Sequence, residues 1–271
     1  MEKLSYPRNL TNMAQSFDIA TIGKILVDGY NTGTGNLTGY DCPKCKNRGN
    51  FAGLKADNTR YFYPCECMDI RRALQKAEKS GLLPLLSEYT FDTFTVSNSL
   101  QEALKKGAME YAQSEGGWLL ISGPPGCGKT HLCTAVCRER LYRHQDLRYI
   151  SWREEVSRLK AMSLEDTQRH QRLQELKTIP LLYIDDLFKT GAGPDGVSRP
   201  TVADINLAFE ILDYRYIHKL DTILSTEKSI DQLIWIDEAI GSRIKERCGK
   251  HAYVIKPGRN TNYRLRGTQK P

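Results

Sequence analysis

From about residue 99 onward, short strand-like stretches alternate with longer stretches whose apolar residues recur every three or four positions. The short stretches are Trp118–Ile121, Leu147–Trp152, Ile179–Ile184, Asp221–Thr226 and Ala252–Ile255. Trp118–Ile121 and Ile179–Ile184 are apolar runs that read as buried strands, whereas Asp221–Thr226 has a polar end. Between them lie helical patterns. Leu100 to Ala112 is one. His131 to His144 is a second, with Leu132, Ala135, Val136 and Leu141 on one side. Glu154 to Lys177 reads as a single charged helix carrying Val156, Leu159, Met162, Leu173 and Leu176. Thr201 to His218 is expected to turn Ile205, Phe209, Leu212 and Ile217 inward, Ser229 to cap Ile230–Trp235, and Glu238–Arg247 to form a last helix. Strands alternating with helices predict an α/β fold with helices on both faces of a sheet.

The first third reads differently. Met13 to Asp28 has helical spacing in Met13, Phe17, Ile22 and Leu26, followed by a glycine-bearing loop over residues 31–36. Phe51 to Tyr63 suits a hairpin, and Met68 to Gly81 suits a charged helix with Ile70, Leu74 and Ala77 on one side. A chain of 271 residues accommodates one large domain and a small one. No apolar run approaches 18 residues and no apolar signal core follows the N-terminus, so an intracellular protein is expected. The net charge is +7, and residues 241–271 hold nine Lys or Arg against Glu246 alone, a local +8 that leaves −1 for the rest. Such a stretch can meet phosphates, or can serve as a solubilising tail.

Candidate chemistry begins at Gly123-Pro124-Pro125-Gly126-Cys127-Gly128-Lys129-Thr130, followed by His131. It fits G-x-x-x-x-G-K-[ST], between an expected strand and an expected helix. The glycines let backbone N–H groups turn toward phosphate oxygens, Lys129 would reach the β and γ phosphates of ATP, and Thr130 would hold Mg²⁺. The run Ile179–Ile184 closes on Asp185-Asp186, a Walker B arrangement. Asp185 is the expected Mg²⁺ ligand, and Asp186 would orient or deprotonate the attacking water. The spacing alone also suits a glycine turn without ligand and an Asp pair capping the next helix; the two motifs together favour nucleotide.

Cys42 and Cys45 form one close pair, Cys65 and Cys67 another, with nineteen residues between Cys45 and Cys65. Two close pairs of thiolates suit tetrahedral Zn²⁺, and a closed four-cysteine shell makes the metal structural. Free thiols or a redox pair are the alternatives. Glu238–Arg247 places Arg243 and Arg247 four apart on one helix face.

Tyr89-Thr-Phe-Asp-Thr-Phe94, GPPGCGKT, LLYIDDL, Ala208–Tyr216, TILST and IGSRIKERC together resemble helicase loaders of the DnaC/DnaI type, within the AAA+ ATPases. The resemblance spans residues 89–271, and the cysteine module looks like the zinc-binding module of some loaders. It implies a five-stranded parallel AAA+ core and an ATPase that brings a DnaB-type hexameric replicative helicase to single-stranded DNA in the bacterial or host cytoplasm. It also implies self-association through the AAA+ domain when nucleotide is bound. The expected organisation is a helicase-binding region over 1–80 with its zinc module at about 38–70, a linker over 81–98 and the ATPase domain over 99–271. Thr226 falls where the family carries the sensor 1 Asn. Arg243 and Arg247 match the arginines near the subunit interface, and Arg247 is the favoured finger toward a neighbour's nucleotide. Asp186 in place of the usual Glu implies slow, switch-like turnover.

The 45 residues after Thr226 leave no room for a separate lid, and Arg264 is a candidate second sensor. Lys160, Arg169 and Arg172 are candidate DNA contacts. Two competing readings share the core: a transposition helper ATPase of the IstB type, and a DNA-binding adaptor whose nucleotide site hydrolyses little.

Overall fold

A computed structural model describes residues 18–79, 81–162, 166–189, 199–256, 262 and 263. The chain divides into two compact units, Met1–Arg71 and Arg72–Pro271, with the division falling inside one helix.

In the first unit, α1 (Ile19–Thr32) begins where the Asp18 side chain accepts from Thr21 N–H at 2.6 Å. It runs through Thr32, so the expected loop starts later than its glycines suggested, and Met13 and Phe17 lie outside the described residues. The expected hairpin is β1 (Asn50–Leu54) paired antiparallel with β2 (Arg60–Pro64). The α2 helix (Cys67–Lys79) follows the second cysteine pair directly. Within this unit Arg71, 7% exposed, donates to the carbonyl oxygens of Thr38 and Tyr40 and to Asn47 Oδ1. One guanidinium thereby ties the loop before the first cysteine pair to the helix after the second.

The second unit opens with α3 (Leu83–Glu88) and α4 (Ser99–Gln113), the latter capped by Asn98 accepting from Gln101 N–H at 2.9 Å. Then come β3 (Trp118–Ser122), α5 (Lys129–Tyr142), β4 (Leu147–Ser151), α6 (Trp152–Ala161), α7 (Asp166–Thr178) and β5 (Leu181–Asp185). They are followed by α8 (Val202–Ile217), β6 (Asp221–Thr226), α9 (Ile230–Ile236), α10 (Glu238–Cys248), a short 3₁₀ turn at Gly249–His251, and β7 (Ala252–Val254). The single charged helix expected over 154–177 is two helices, with residues 163–165 outside those described.

The five strands form one parallel sheet in the order β4-β5-β6-β3-β7. β3 and β5 are buried along their whole length, which is why they read as unbroken apolar runs. Trp118 and Leu120 share a core with Ile184, Leu224 and the inner faces of α6, α7, α8 and α10. Leu119 and Ile121, buried as fully, alternate to the opposite face. The buried stripe of α8 is Asp204, Leu207, Ala208, Ile211, Leu212 and Arg215. Of the expected inward set, Leu212 is buried and Ile205 packs at the edge of the core, whereas Phe209 is 37% and Ile217 63% exposed. The stripe is displaced because it includes Arg215, a charged residue that periodicity assigns to solvent.

Arg215 is fully buried. Its Nε donates to Thr222 Oγ1 at 2.9 Å, and its terminal nitrogens donate to the carbonyls of Leu176, Lys177, Ile179 and Asp221. It thereby joins the end of α7 to the starts of β5 and β6. The strand ends on the opposite edge of the sheet carry the candidate site.

Candidate nucleotide site and cysteine cluster

Because the sheet is parallel, the C-terminal ends of β3, β5 and β6 lie side by side, and a parallel sheet of this kind binds ligands outside those ends. The loop from Gly123 to Gly128 connects β3 to α5 there. Gly126 (φ +73°) and Gly128 (φ +93°) occupy the left-handed region, and a Cβ on them would lie 2.1 Å from Asn262 Oδ1 and 2.8 Å from Phe94 Cε2. Only glycine meets both demands. Cys127 is 3% exposed, and burial pushes its thiol up, so it is a packing residue within the loop.

Lys129 is 5% exposed, and its Nζ donates to the carbonyls of Gly123 at 2.9 Å and Pro124 at 3.0 Å. The ammonium is thus held over the loop whose N–H groups could cradle phosphates. Thr130 Oγ1 lies 3.3 and 3.5 Å from the two oxygens of Asp185. A hydroxyl and a carboxylate at this separation are a hard-oxygen donor pair that fits Mg²⁺. Asp185 also accepts from Tyr183 Oη at 2.7 Å, from Tyr149 Oη at 3.4 Å, and from Ser225 Oγ. Burial and the adjacent Asp185 carboxylate push both tyrosines well above their ordinary range, so they remain hydrogen-bond donors.

Asp186 takes a left-handed backbone (φ +56°), and its N–H donates to Ser225 Oγ at 2.8 Å. Its carboxylate pairs with Lys189 Nζ at 2.9 Å, and that ammonium lies 3.0 Å from Glu227 Oε1. Lys189 and Glu227 line the same pocket as Pro125, Gly126, Gly128, Lys129, Thr130 and Asp186. Neither belongs to a contiguous motif; Lys189 opens the loop over 189–200, which the sequence offers either as a sensor near the γ-phosphate or as a plain connection, and Glu227 stands one residue past β6.

The pocket's other wall is aromatic. His131 stacks on Tyr89 at 4.8 Å and meets Phe94 edge-on at 5.2 Å, while Tyr263 lies 5.7 Å from Phe94. Tyr263 N–H donates to the Gly126 carbonyl at 2.8 Å, and its hydroxyl to Thr95 at 2.9 Å. Burial lowers the His131 pKa, and its Nε2 bonds the Thr90 carbonyl at 2.8 Å. A neutral imidazole among three rings can pack a planar base. The Tyr89–Phe94 segment, legible only as a resemblance, supplies most of this wall.

Thr226 is not brought to the pocket. It is fully buried, and its hydroxyl donates to the Leu187 carbonyl at 2.8 Å and accepts from Lys228 N–H at 3.1 Å. Arg243 and Arg247 do not line the pocket either. Arg243 pairs with Asp213 at 2.8 Å, donates to the Ala239 carbonyl, and lies over Phe209 and Tyr216 at 5.3 and 5.4 Å. Arg247 is half-buried, with its Nε lacking a hydrogen bond. Lys160 pairs with Asp204 at 2.6 Å, and Arg172 pairs with Glu155 and Glu175 at 2.6 and 2.7 Å. Those two candidate DNA contacts are therefore engaged within the chain. Arg169 lines a groove with Lys160 and Glu210, and Arg264 lies outside the described residues.

In the other unit, Cys42, Cys45, Cys65 and Cys67 are all buried, and their sulfurs lie within 4.8 Å of one another. The Cys42–Cys65 and Cys45–Cys67 separations are 3.8 and 3.5 Å. Four sulfurs at about 2.3 Å from a tetrahedral Zn²⁺ would stand about 3.8 Å apart, so the cluster fits such an ion. Gly49 N–H donates to Cys45 Sγ at 3.2 Å, a contact that favours thiolate.

A parallel α/β core with a phosphate loop after β3 and paired carboxylates at the end of β5, with β6 inserted between those two strands, defines a P-loop nucleotide-binding domain of the AAA+ type. Residues 71–271 match the family described as IstB-like ATP binding protein, and the chain belongs to that family. Proteins of this IstB/DnaC group are AAA+ ATP-binding proteins and generally ATPases. The chain is 28% identical over 241 residues to phage-like element PBSX protein XkdC of Bacillus subtilis, covering 85% of this chain and 88% of that one. It is 26% identical over 183 residues to the replicative helicase loader DnaC of Escherichia coli, covering 65% and 70%. In fold it resembles the crystal structure of the DnaC helicase loader, with a TM-score of 0.52 at 23% identity, over 63% of this chain and 97% of that one. Among the described residues no helix is long and apolar enough to cross a membrane.

Proposed function

We propose that the chain is an ATP-dependent loader that binds a hexameric replicative DNA helicase and delivers it to single-stranded DNA. The observation that carries this reading is the separation of two sites into two units: the nucleotide pocket in one, and a closed cysteine cluster in the other. In this reading Zn²⁺ on Cys42, Cys45, Cys65 and Cys67 folds the helicase-binding region over 1–80, and the ATPase domain over 99–271 acts as the switch. The similarity to a replicative helicase loader supports the choice of partner.

Lys129 and the loop N–H groups hold the phosphates, Thr130 and Asp185 hold Mg²⁺, and Asp186 orients the attacking water. The Asp186 side chain is one methylene shorter than Glu, which favours slow turnover. Arg243 is anchored within its own subunit, so Arg247 is the better candidate to reach a neighbour's nucleotide in an ATP-bound assembly. An arginine suits that role because its planar fork neutralises charge on a transferring phosphoryl group.

The test is capture of purified hexameric replicative helicase by the full chain and by residues 81–271, with and without ATP. Capture by the full chain and not by the truncated one is expected. Capture by residues 81–271 alone would overturn the division of labour. A second reading, a helper ATPase in transposition, is supported by similarity to an insertion sequence IS232 putative ATP-binding protein, 27% identical over 173 residues. Capture of a transposase and not a helicase would favour it.

A further inference from the structure

Lys189 lines the same pocket as Lys129, yet the two lysines have different partners. Lys129 Nζ is engaged by two loop carbonyls, at 2.9 and 3.0 Å. Lys189 Nζ is engaged by two carboxylates, Asp186 at 2.9 Å and Glu227 at 3.0 Å, and its side chain is 44% exposed. Glu227 Oε1 is shielded from solvent, and the Lys189 ammonium 3.0 Å away is its charge partner. Among the described lining residues, Lys129 and Lys189 are the lysines, and Asp186 and Glu227 are the carboxylates.

This arrangement has an electrostatic consequence. A terminal phosphate carries between one and two negative charges at neutral pH. Placed beside Asp186 and Glu227 it is repelled unless a cation stands with it. Lys189 is already at both carboxylates, and its flexible four-carbon stem can swing without repacking the core.

We propose that Lys189 is a ligand of the terminal phosphate of a bound nucleoside triphosphate, and that in taking up that phosphate it gives up Asp186. The pocket then distinguishes triphosphate from diphosphate through this lysine. A diphosphate leaves Lys189 on Asp186, where the carboxylate is held away from water. A triphosphate draws the ammonium off and leaves Asp186 free to accept a hydrogen bond from water. The inference rests on the reading of this pocket as the nucleotide site.

The experiment is equilibrium binding of Mg²⁺-ADP and of Mg²⁺-β,γ-methylene-ATP to the full-length chain and to two variants. Lys189→Ala is expected to weaken the triphosphate analogue about tenfold, or about 1.4 kcal/mol, and to leave ADP within about twofold. Glu227→Gln removes a competing carboxylate, and is expected to tighten the analogue about threefold without changing ADP. Equal losses for both nucleotides in Lys189→Ala, or no loss for either, would overturn the proposal. So would a Glu227→Gln variant that leaves the analogue unchanged or weaker, which keeps the test decisive if Lys189→Ala does not fold. Failure of the wild-type chain to bind either nucleotide would instead overturn the nucleotide site itself.

Discussion

Ser225 holds both strand-end aspartates through one hydroxyl, which donates to the Asp185 carboxylate and accepts from the Asp186 backbone N–H. That second contact fastens a residue in the left-handed region, which Asp enters more readily than most side chains and which still costs more than a right-handed turn. Ser225→Ala is therefore expected to lower ATP hydrolysis by on the order of tenfold while changing ADP affinity by no more than about threefold. Steady-state hydrolysis beside equilibrium ADP binding reads the difference, and an equal loss in both would show a general loosening. Lys129, Thr130, Asp185 and Asp186 are legible in the sequence because each belongs to a contiguous motif with a strand in front of it. Ser225, Tyr149, Tyr183, Lys189 and Glu227 are not, because Ser225 and Tyr149 meet Asp185 across strands, Tyr183 meets it from within an apolar run, and Lys189 and Glu227 meet only where two strand ends come together. Thr226 shows how fine the margin is. Side chains alternate along β6, so Ser225 reaches the carboxylates and Thr226, one residue on, turns to the Leu187 carbonyl.

At the scale of the element, α8 depends on its first turn. Thr201 and Asp204 form a reciprocal capping box, and Lys160 pairs with the same Asp204 carboxylate. Burial pushes that carboxyl up, but the Lys160 ammonium and the Thr201 N–H and hydroxyl outweigh it and hold it below the usual carboxylate range. A carboxyl depressed in the folded state contributes stability above its unfolded pKa of about 3.9, and loses it as pH falls through the folded value. Asp204→Asn should cost about 1–2 kcal/mol at pH 7. The gap to wild type should hold down to about pH 5 and narrow below about pH 4 in urea unfolding followed across pH. A gap independent of pH would mean that the charge of Asp204 does not matter. β3 and β5 are readable because burial on both faces leaves an uninterrupted apolar run. The face of α8 was not, because Asp204 and Arg215 are buried among hydrogen-bond partners that lie far away in the chain. The break between α6 and α7 was equally hidden, since both carry helical periodicity.

At the scale of the molecule, each of the two units keeps its own means of stabilisation: a wide apolar core behind the nucleotide pocket, and four sulfurs with one buried guanidinium in the smaller unit. In the sequence, the cysteine spacing and the onset of strand–helix alternation set two stretches apart, whereas the observed division falls at Arg71–Arg72, inside α2. The sequence does not convey the anchor at Arg71, whose partners lie 24 to 33 residues away. All eight cysteines are buried, four in the cluster and Cys127, Cys133, Cys137 and Cys248 in the larger unit. Burial raises the thiol pKa of each of these last four. The molecule therefore carries its own two-channel gauge of integrity. A thiol-reactive chromophore added to native protein should register almost no sulfhydryls. With the proposed Zn²⁺ on the cluster, a chelator strong enough to strip it should release four, with nucleotide binding retained, and denaturant should then expose the remaining four. A titre that jumps from none to eight in one step would show instead that the two units come apart together.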